Sequence, residues 1–210
     1  MTDLEMVLKD PLNILFIDNP SKELQLIAVK QNGYAIHYIR NPDNEIQMAA
    51  VINNGINIKY IDNPSLDVQL TAVKDDGRAI YYIDKPTKEM QLFAVNDGSS
   101  IRYIDNPDTD IQLASINKNS ASIRFINKPD KYIQLLAVQR DSSNIQHITN
   151  PDINMQFAAI QNNIFDIKYI KNPDRDIQLL CVYKDKRVIK YIYDPHPDVI
   201  EYCQQKLCAR

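Results

Sequence analysis

Apolar side chains recur along this chain with a period of 22 residues, and the pattern changes character halfway through each period. Nine prolines mark the beat: Pro20, Pro42, Pro64, Pro86, Pro107, Pro129, Pro151, Pro173 and Pro195, with a single step of 21. Taking each proline as position 0, apolar residues stand at +4, +6, +8 and +9, as in Leu24, Leu26, Ala28 and Val29. Position +7 is often apolar as well (Ile27, Phe93, Leu136, Leu180). A segment apolar over most of its circumference predicts a helix sandwiched between layers. The small residue at +8 (Ala28, Ala50, Ala72, Ala94, Ser115, Ala137, Ala159, Cys181) lets neighbouring helices approach closely. A shorter motif follows, Ile-x-Tyr-Ile, as in Ile58-Lys59-Tyr60-Ile61. Isoleucines three apart share one face of an α- or 3₁₀-helix, whereas a strand would part them. An extended segment, as in a leucine-rich repeat, is the alternative for so short an element.

Turn chemistry places the boundaries. Residue −1 is mostly Asn (Asn19, Asn41, Asn63, Asn106, Asn150, Asn172). Asn is a favoured helix cap and Pro suits the first helical position, so the first helix is predicted from the proline to about +12. Acids at +1 and +3 favour its positive start. All four glycines (Gly33, Gly55, Gly77, Gly98) fall in the following turn, where a left-handed residue is expected to close the helix. The 21-residue step comes from one residue missing in that turn, around Gly98.

A period of this length means units that bury their apolar faces only against their neighbours. The predicted fold is all-α: a right-handed α-solenoid of about eight long-helix/short-helix repeats, in one repeat domain. Residues 1–18 form an N-terminal half-repeat cap, 19–193 the eight repeats, and 194–210 a closing helix. In the closing helix Val199, Tyr202, Cys203 and Leu207 make one apolar stripe, ending in Lys206 and Arg210.

Charge narrows the partners. The chain carries 24 Lys and Arg against 27 Asp and Glu, net −3, so no global field draws it to nucleic acid or an anionic membrane. Without an apolar run near 18 residues or a charged-then-apolar leader it is expected to be soluble and cytoplasmic. Three cysteines, odd in number and clustered late (Cys181, Cys203, Cys208), suit a reducing compartment rather than a disulfide framework. Trp is absent and Gly scarce while Ile, Asn, Asp and Tyr abound, the usage of an AT-rich genome such as many phages have.

Four constellations bear on function. Glutamine occupies +5 in every repeat: Gln25, Gln47, Gln69, Gln91, Gln112, Gln134, Gln156 and Gln178. A buried amide must be paired, so these are expected to form a structural ladder, bonding the Asn-Pro turn or the next Gln. An aromatic column at +18 (Tyr38, Tyr60, Tyr82, Tyr103, Phe125, His147, Tyr169, Tyr191) is expected at the rim, stacking between repeats or offering a binding surface. A basic column at +17 (Lys59, Arg102, Arg124, Lys168, Lys190) would either pair with the +3 acids or, beside the aromatics, track an anionic strand. Catalytic chemistry is missing. His37, His147 and His196 lie in different repeats, Cys203 and Cys208 lack zinc spacing, and no phosphate loop or nucleophile elbow is present. No enzyme, metal or cofactor is expected.

The consensus Asn-Pro-x-x-x-Ile-Gln-Leu-x-Ala-Val followed by Ile-x-Tyr-Ile resembles a 22-residue tandem helical repeat family of phage, giant-virus and bacterial proteins, over Met1 to about Tyr193. The unit is also similar to the leucine-rich repeat variant, a right-handed α-solenoid alternating α and 3₁₀ helices. The resemblance implies a fold and no general function. The expected function is a non-enzymatic scaffold that engages another protein along Tyr38, Lys59, Tyr60, Tyr82, Arg102, Tyr103, Arg124, Lys168, Tyr169 and Lys190. A phage or viral factor inhibiting a host defence protein, in the host cytoplasm, would fit. Nucleic-acid or nucleotide binding through the basic and aromatic columns, and self-assembly as a homo-oligomer, are the alternatives.

Overall fold

A computed structural model describes residues 2–205, and every regular element in that span is helical. The expected positions of Lys206, Leu207, Cys208 and Arg210 lie outside the described residues. The chain divides into two compact units, Met1–Asp105 and Asn106–Arg210. Unit 1 holds α1 (Asp3–Lys9), α2 (Lys22–Gln31), α3 (Asn44–Asn53), α4 (Leu66–Asp75) and α5 (Lys88–Ala94). Unit 2 holds α6 (Thr109–Lys118), α7 (Lys131–Arg140), α8 (Ile153–Asn162), α9 (Arg175–Lys184) and α10 (Pro197–Gln205). Within each unit the architecture is a helical solenoid. Each α-helix packs on the next, and the short element after it packs on its own successor. That element is a 3₁₀ helix, Gly33–Tyr38 or Ile164–Tyr169 for example. At three residues per turn it keeps both isoleucines of Ile-x-x-Ile on one side.

The caps are not where the proline placed them. The helix begins two residues after each proline, and the cap is residue +1. The side chains of Ser21, Asp43, Ser65, Thr87, Asp108 and Asp152 accept from the N–H three residues on, as Asp43 Oδ1 does from Ile46 at 3.1 Å. The acids at +1 are therefore caps rather than first-turn charges. Asn at −1 does different work: Asn19, Asn41, Asn63, Asn106 and Asn150 take φ between 48° and 55°, the left-handed region that Asn tolerates better than most residues. Lys128 is forced into the same conformation at φ 54°. Lys128→Asn is expected to stabilise the protein by about 0.5–1 kcal/mol, read as a higher urea midpoint at unchanged slope.

Each α-helix of a full-length repeat ends at +11, and residue +12 serves two elements at once. Its backbone N–H closes the α-helix while its side chain accepts the second N–H of the 3₁₀ helix. Asn32 bonds Tyr34 at 3.1 Å, Asn54 bonds Ile56 at 2.9 Å, and Asp141 and Asp185 do the same further on. Oxygen acceptors suffice there, which is why the column alternates freely between Asn and Asp.

Glycine at +13 also differs from expectation. Only Gly98 is left-handed, at φ 71°. Gly33, Gly55 and Gly77 open the 3₁₀ helices, and what they supply is space: a Cβ on Gly77 would stand 2.6 Å from the Ala94 carbonyl oxygen. The missing residue near Gly98 cuts α5 to seven residues and inserts the 3₁₀ turn Val95–Asp97. Asp97 takes over the capping role, accepting from Ser99 N–H, Ser100 N–H and Ser100 Oγ at 2.7–2.8 Å. Burial opposes ionisation of this carboxyl, but those donors outweigh it and hold its pKa below the usual range.

The core is built from five columns, +4, +8, +9, +16 and +19. In unit 2, Met155, Ala159, Ile160, Ile167 and Ile170 show one repeat of it. Position +15 joins them and is often polar. Asn57 and Asn144 each donate from Nδ2 to a +8 carbonyl at 3.0 Å, and buried Asp166 accepts from Ser142 Oγ at 2.6 Å. Ser115, at +8 where most repeats have Ala, is fully buried and its hydroxyl has no partner. Ser115→Ala is expected to stabilise unit 2 by about 1 kcal/mol in thermal or urea unfolding, since it removes a desolvated donor without opening a cavity. Position +6 was expected in this core and is not. Leu92 is 43% and Phe157 46% exposed, and Leu26, Met48, Leu70, Leu113, Leu135 and Leu179 are only half-buried.

Candidate binding surfaces

Two surfaces repeat along the chain. On the side of the 3₁₀ helices lie the +17 and +18 columns. The cation at +17 sits over the ring that follows it: Lys59 Nζ is 4.7 Å from the Tyr60 centroid, Lys168 4.6 Å from Tyr169 and Lys190 4.9 Å from Tyr191. The guanidinium carbons of Arg102 and Arg124 stand 5.8 and 4.5 Å from the rings of Tyr103 and Phe125. Each contact costs the column part of its free charge and part of its free ring face. The same rings also meet aromatics of the preceding repeat: Tyr34 and His37 on Tyr60 at 5.2 and 4.7 Å, Tyr81 on Tyr103 at 5.5 Å, Phe165 on Tyr191 at 5.8 Å. Tyr38 packs edge-on to Tyr34 at 5.7 Å, and Tyr82 to Tyr81 at 5.1 Å.

The ion pairs bind other columns than the sequence suggested. Lys22 at +2 reaches Asp43 at 2.8 Å and Glu45 at 2.6 Å in the next repeat, and Lys74 approaches Glu89 at 3.9 Å. Arg78 and Arg187 at +14 clamp the capping carboxylates Asp76 and Asp185 at 2.5 and 2.7 Å. Each guanidinium thus holds its carboxyl below the ordinary range. The +3 acids pair from the helix side, away from the +17 cations.

Each of the eight glutamines donates from Nε2 to the carbonyl of its own proline, from 2.7 Å at Gln25 and Gln134 to 3.1 Å at Gln91. In unit 2 the other end of the amide is used too. Oε1 of Gln156 accepts from Asp174 N–H at 2.8 Å and that of Gln178 from His196 N–H at 2.9 Å, each 18 residues on, while Gln112 reaches Asp130 at 3.4 Å. One side chain so ties a turn to the next.

A second tie was not foreseen. Asn53 at +11 accepts from Gly33 N–H at 3.0 Å and donates to the Lys30 carbonyl at 3.3 Å, and Asp75 accepts from Gly55 N–H at 2.7 Å. Arg140 and Asn162 reach back in the same way. No sequence signal marks this column, because Asn, Asp and Arg all serve it.

The outer side of the α-helices is the second surface. Position +6 is large and apolar in all nine helices from α1 to α9: Leu4, Leu26, Met48, Leu70, Leu92, Leu113, Leu135, Phe157 and Leu179. Between α2 and α3 it lines a groove of about 990 Å³ with Leu26, Met48, Ala49 and Ile52 at its floor. A groove of about 310 Å³ separates α1 from α2. Charge is split unevenly: residues 1–105 hold 10 basic and 15 acidic side chains, residues 106–210 hold 14 and 12.

Groups suited to chemistry are dispersed. Among the described residues no cluster of three His, Cys, Asp or Glu could hold a metal, and no helix is long and apolar enough to cross a membrane. Cys181 is buried at +8, and burial pushes its thiol up to about 11, far from a reactive thiolate. His147 is lowered by burial and by Arg124. His196 stands at the cap position of α10, its Nδ1 accepting from Asp198 N–H at 3.3 Å.

Fold and surface together define a helical repeat protein with repeated faces. The model of a family described as a domain of unknown function, DUF4116, matches residues 21–67, the first two repeats, and the chain is similar to that family there. No curated protein and no solved structure matches the chain.

Proposed function

We propose that this protein is a non-enzymatic scaffold that holds another protein along its repeated surface. The supporting observation is the +6 column, where every α-helix from α1 to α9 keeps a large apolar side chain that the core buries only in part. Repeated apolar surface of this kind marks a partner's footprint. On the 3₁₀ side, the rings and cations of Tyr60, Tyr103, Tyr169 and Tyr191 already satisfy one another, which leaves that edge for polar, secondary contacts. The likeness of the repeat to those of phages and giant viruses extends the proposal to a host protein, bound and inhibited in the host cytoplasm.

Nucleic-acid binding is the second reading, and unit 2 favours it over unit 1. At +20 unit 1 carries Asp18, Arg40, Asp62, Asp84 and Asp105, four acids and one base, whereas unit 2 carries Asn127, Thr149, Lys171 and Tyr193, none of them acidic. Reversing the charge of Lys59, Arg102 and Arg124 separates the two. The scaffold reading expects unchanged circular dichroism and unchanged retention of a protein partner from host lysate. It also expects retention to be lost on Met48→Lys with Phe157→Lys. Salt-sensitive retention on single-stranded DNA that disappears with the charge reversal would replace it by the second reading. A stable oligomer in light scattering would point to self-assembly.

A further inference from the structure

The outer face of unit 1 carries more than an apolar column, and its charge and spacing constrain what lies on it. We propose that the face built by α1–α5 docks a cationic amphipathic α-helix of the partner protein. This inference rests on the scaffold reading above and adds the partner's chemistry.

The floor is apolar and deep enough to take side chains. Leu26, Met48 and Ile52 line the larger groove, with Ile52 64% exposed, and Leu4 and Ile27 line the smaller one. Leu66 is 64% and Phe93 41% exposed on the same side of the following helices. The rim carries an acid in every helix of the unit, Asp3, Glu23, Glu45, Asp67 and Glu89, all exposed, with Lys30 the one cation among the described residues that line the larger groove. Lys22 answers Glu45 and Lys74 approaches Glu89. Among the described residues Asp3, Glu23 and Asp67 have no ion-pair partner. In unit 2 the corresponding residues are Asp110, Tyr132, Asn154 and Asp176, so the acidic rim is interrupted there. Repulsion from this rim disfavours an anionic helix, an anionic lipid surface or a nucleic-acid strand, and attracts a basic segment.

Spacing selects helix over extended chain. Packed α-helices lie about 8–10 Å apart, so successive grooves recur at about that interval. Seven residues of α-helix advance about 10.5 Å and bring a side chain back to the same face, placing one leucine in each groove. An extended segment advances about 10 Å in three residues, but its side chains alternate, so residues three apart face opposite ways and every second groove would be left empty. Three or four grooves then take a partner helix of about 20–25 residues.

The test uses the full chain and a fluorescent synthetic amphipathic peptide of about 22 residues, leucine on one face and lysine on the other, with a twin carrying glutamate for lysine. Anisotropy titration is expected to show the leucine/lysine peptide binding at least about tenfold more tightly than its twin. The difference should shrink in high salt. Ile52→Lys with Leu66→Lys should weaken it by a further tenfold or more at unchanged circular dichroism and Tm, whereas Tyr132→Ala, at an exposed ring of unit 2, should leave it unchanged. Equal binding of the twin, no binding of either peptide, or insensitivity to the double variant overturns the proposal. Single-stranded DNA binding that the double variant abolishes does so as well. If both peptides fail while a protein partner is still retained and lost with Met48→Lys and Phe157→Lys, the scaffold reading stands and only the cationic helix is wrong.

Discussion

Gly55→Ala is expected to cost about 2–3 kcal/mol and to lower the melting temperature of unit 1 by roughly 10–20 °C. The added methyl would fall well inside van der Waals contact distance of the Ala72 carbonyl oxygen, and lie 3.1 Å from Ala72 C and 3.2 Å from Asp76 N. These are backbone atoms at the end of α4, and that carbonyl accepts from Asp76 N–H at 2.9 Å, so it cannot turn aside cheaply. Pushing α4 away would also stretch the bond from Gly55 N–H to Asp75 Oδ2. Gly98→Ala provides the contrast. Its backbone is left-handed, so the cost is conformational, about 1 kcal/mol, and Gly98→Asn should recover much of it. Gly55→Asn should recover nothing, because the constraint at Gly55 is volume. Chemical denaturation of the four variants decides the matter; a Gly55→Ala loss no larger than that of Gly98→Ala would remove close packing as the reason for glycine here.

Gln178→Leu is expected to destabilise unit 2 by about 2–4 kcal/mol. The side chain is 5% exposed and serves two backbone groups, the Pro173 carbonyl at 2.9 Å and the His196 N–H at 2.9 Å. Leucine would fill the space and leave both groups without partners where water has little access. Gln25→Leu should cost about 1 kcal/mol, since Gln25 is half-buried and its amide donates to the Pro20 carbonyl. Gln178→Glu sharpens the test. Ionised, it keeps an acceptor for His196 but turns a carboxylate oxygen toward the Pro173 carbonyl; protonated, it can donate again. Burial and the facing carbonyl raise its folded pKa above the unfolded value of about 4.3, so the penalty relative to the parent should shrink as pH falls through the folded value. Urea midpoints at neutral and mildly acidic pH check the sign, and a penalty that grows on acidification would exclude this geometry.

Much of the secondary structure was legible in the repeat itself. The recurrence of Leu24, Ala28 and Val29 at helical spacing, and of Ile36 and Ile39 three apart, reports which side chains must leave water, and those side chains are buried. Capping was legible in kind but misplaced by two residues. Asn19 and Pro20 look like a cap and a first turn, yet Asn19 is the left-handed bend and Ser21 the cap. Asn serves both purposes equally well, so propensity alone could not separate them. The +12 column could have been recognised, because a run of Asn and Asp where two helices meet has few other uses.

Other features had no local signature. Leu26 and Met48 are large apolar residues like Leu24 and Ile46, and only the direction of the neighbouring helix leaves the first pair half-exposed and buries the second. The cations Lys59 and Lys168 could have met acids of a neighbouring repeat or the rings that follow them, and in the folded chain they lie over Tyr60 and Tyr169.

By itself, then, the chain's 22-residue period determined an all-helical array of stacked units and most of the columns that form its core, because local periodicity and the need to bury apolar surface act within one repeat and its neighbours. Tertiary structure alone decided which apolar column stays outside, why Gly55 admits no side chain, and which turn each glutamine joins to the next. Those outcomes depend on distances between segments about 20 residues apart, and no residue carries that distance in its own chemistry.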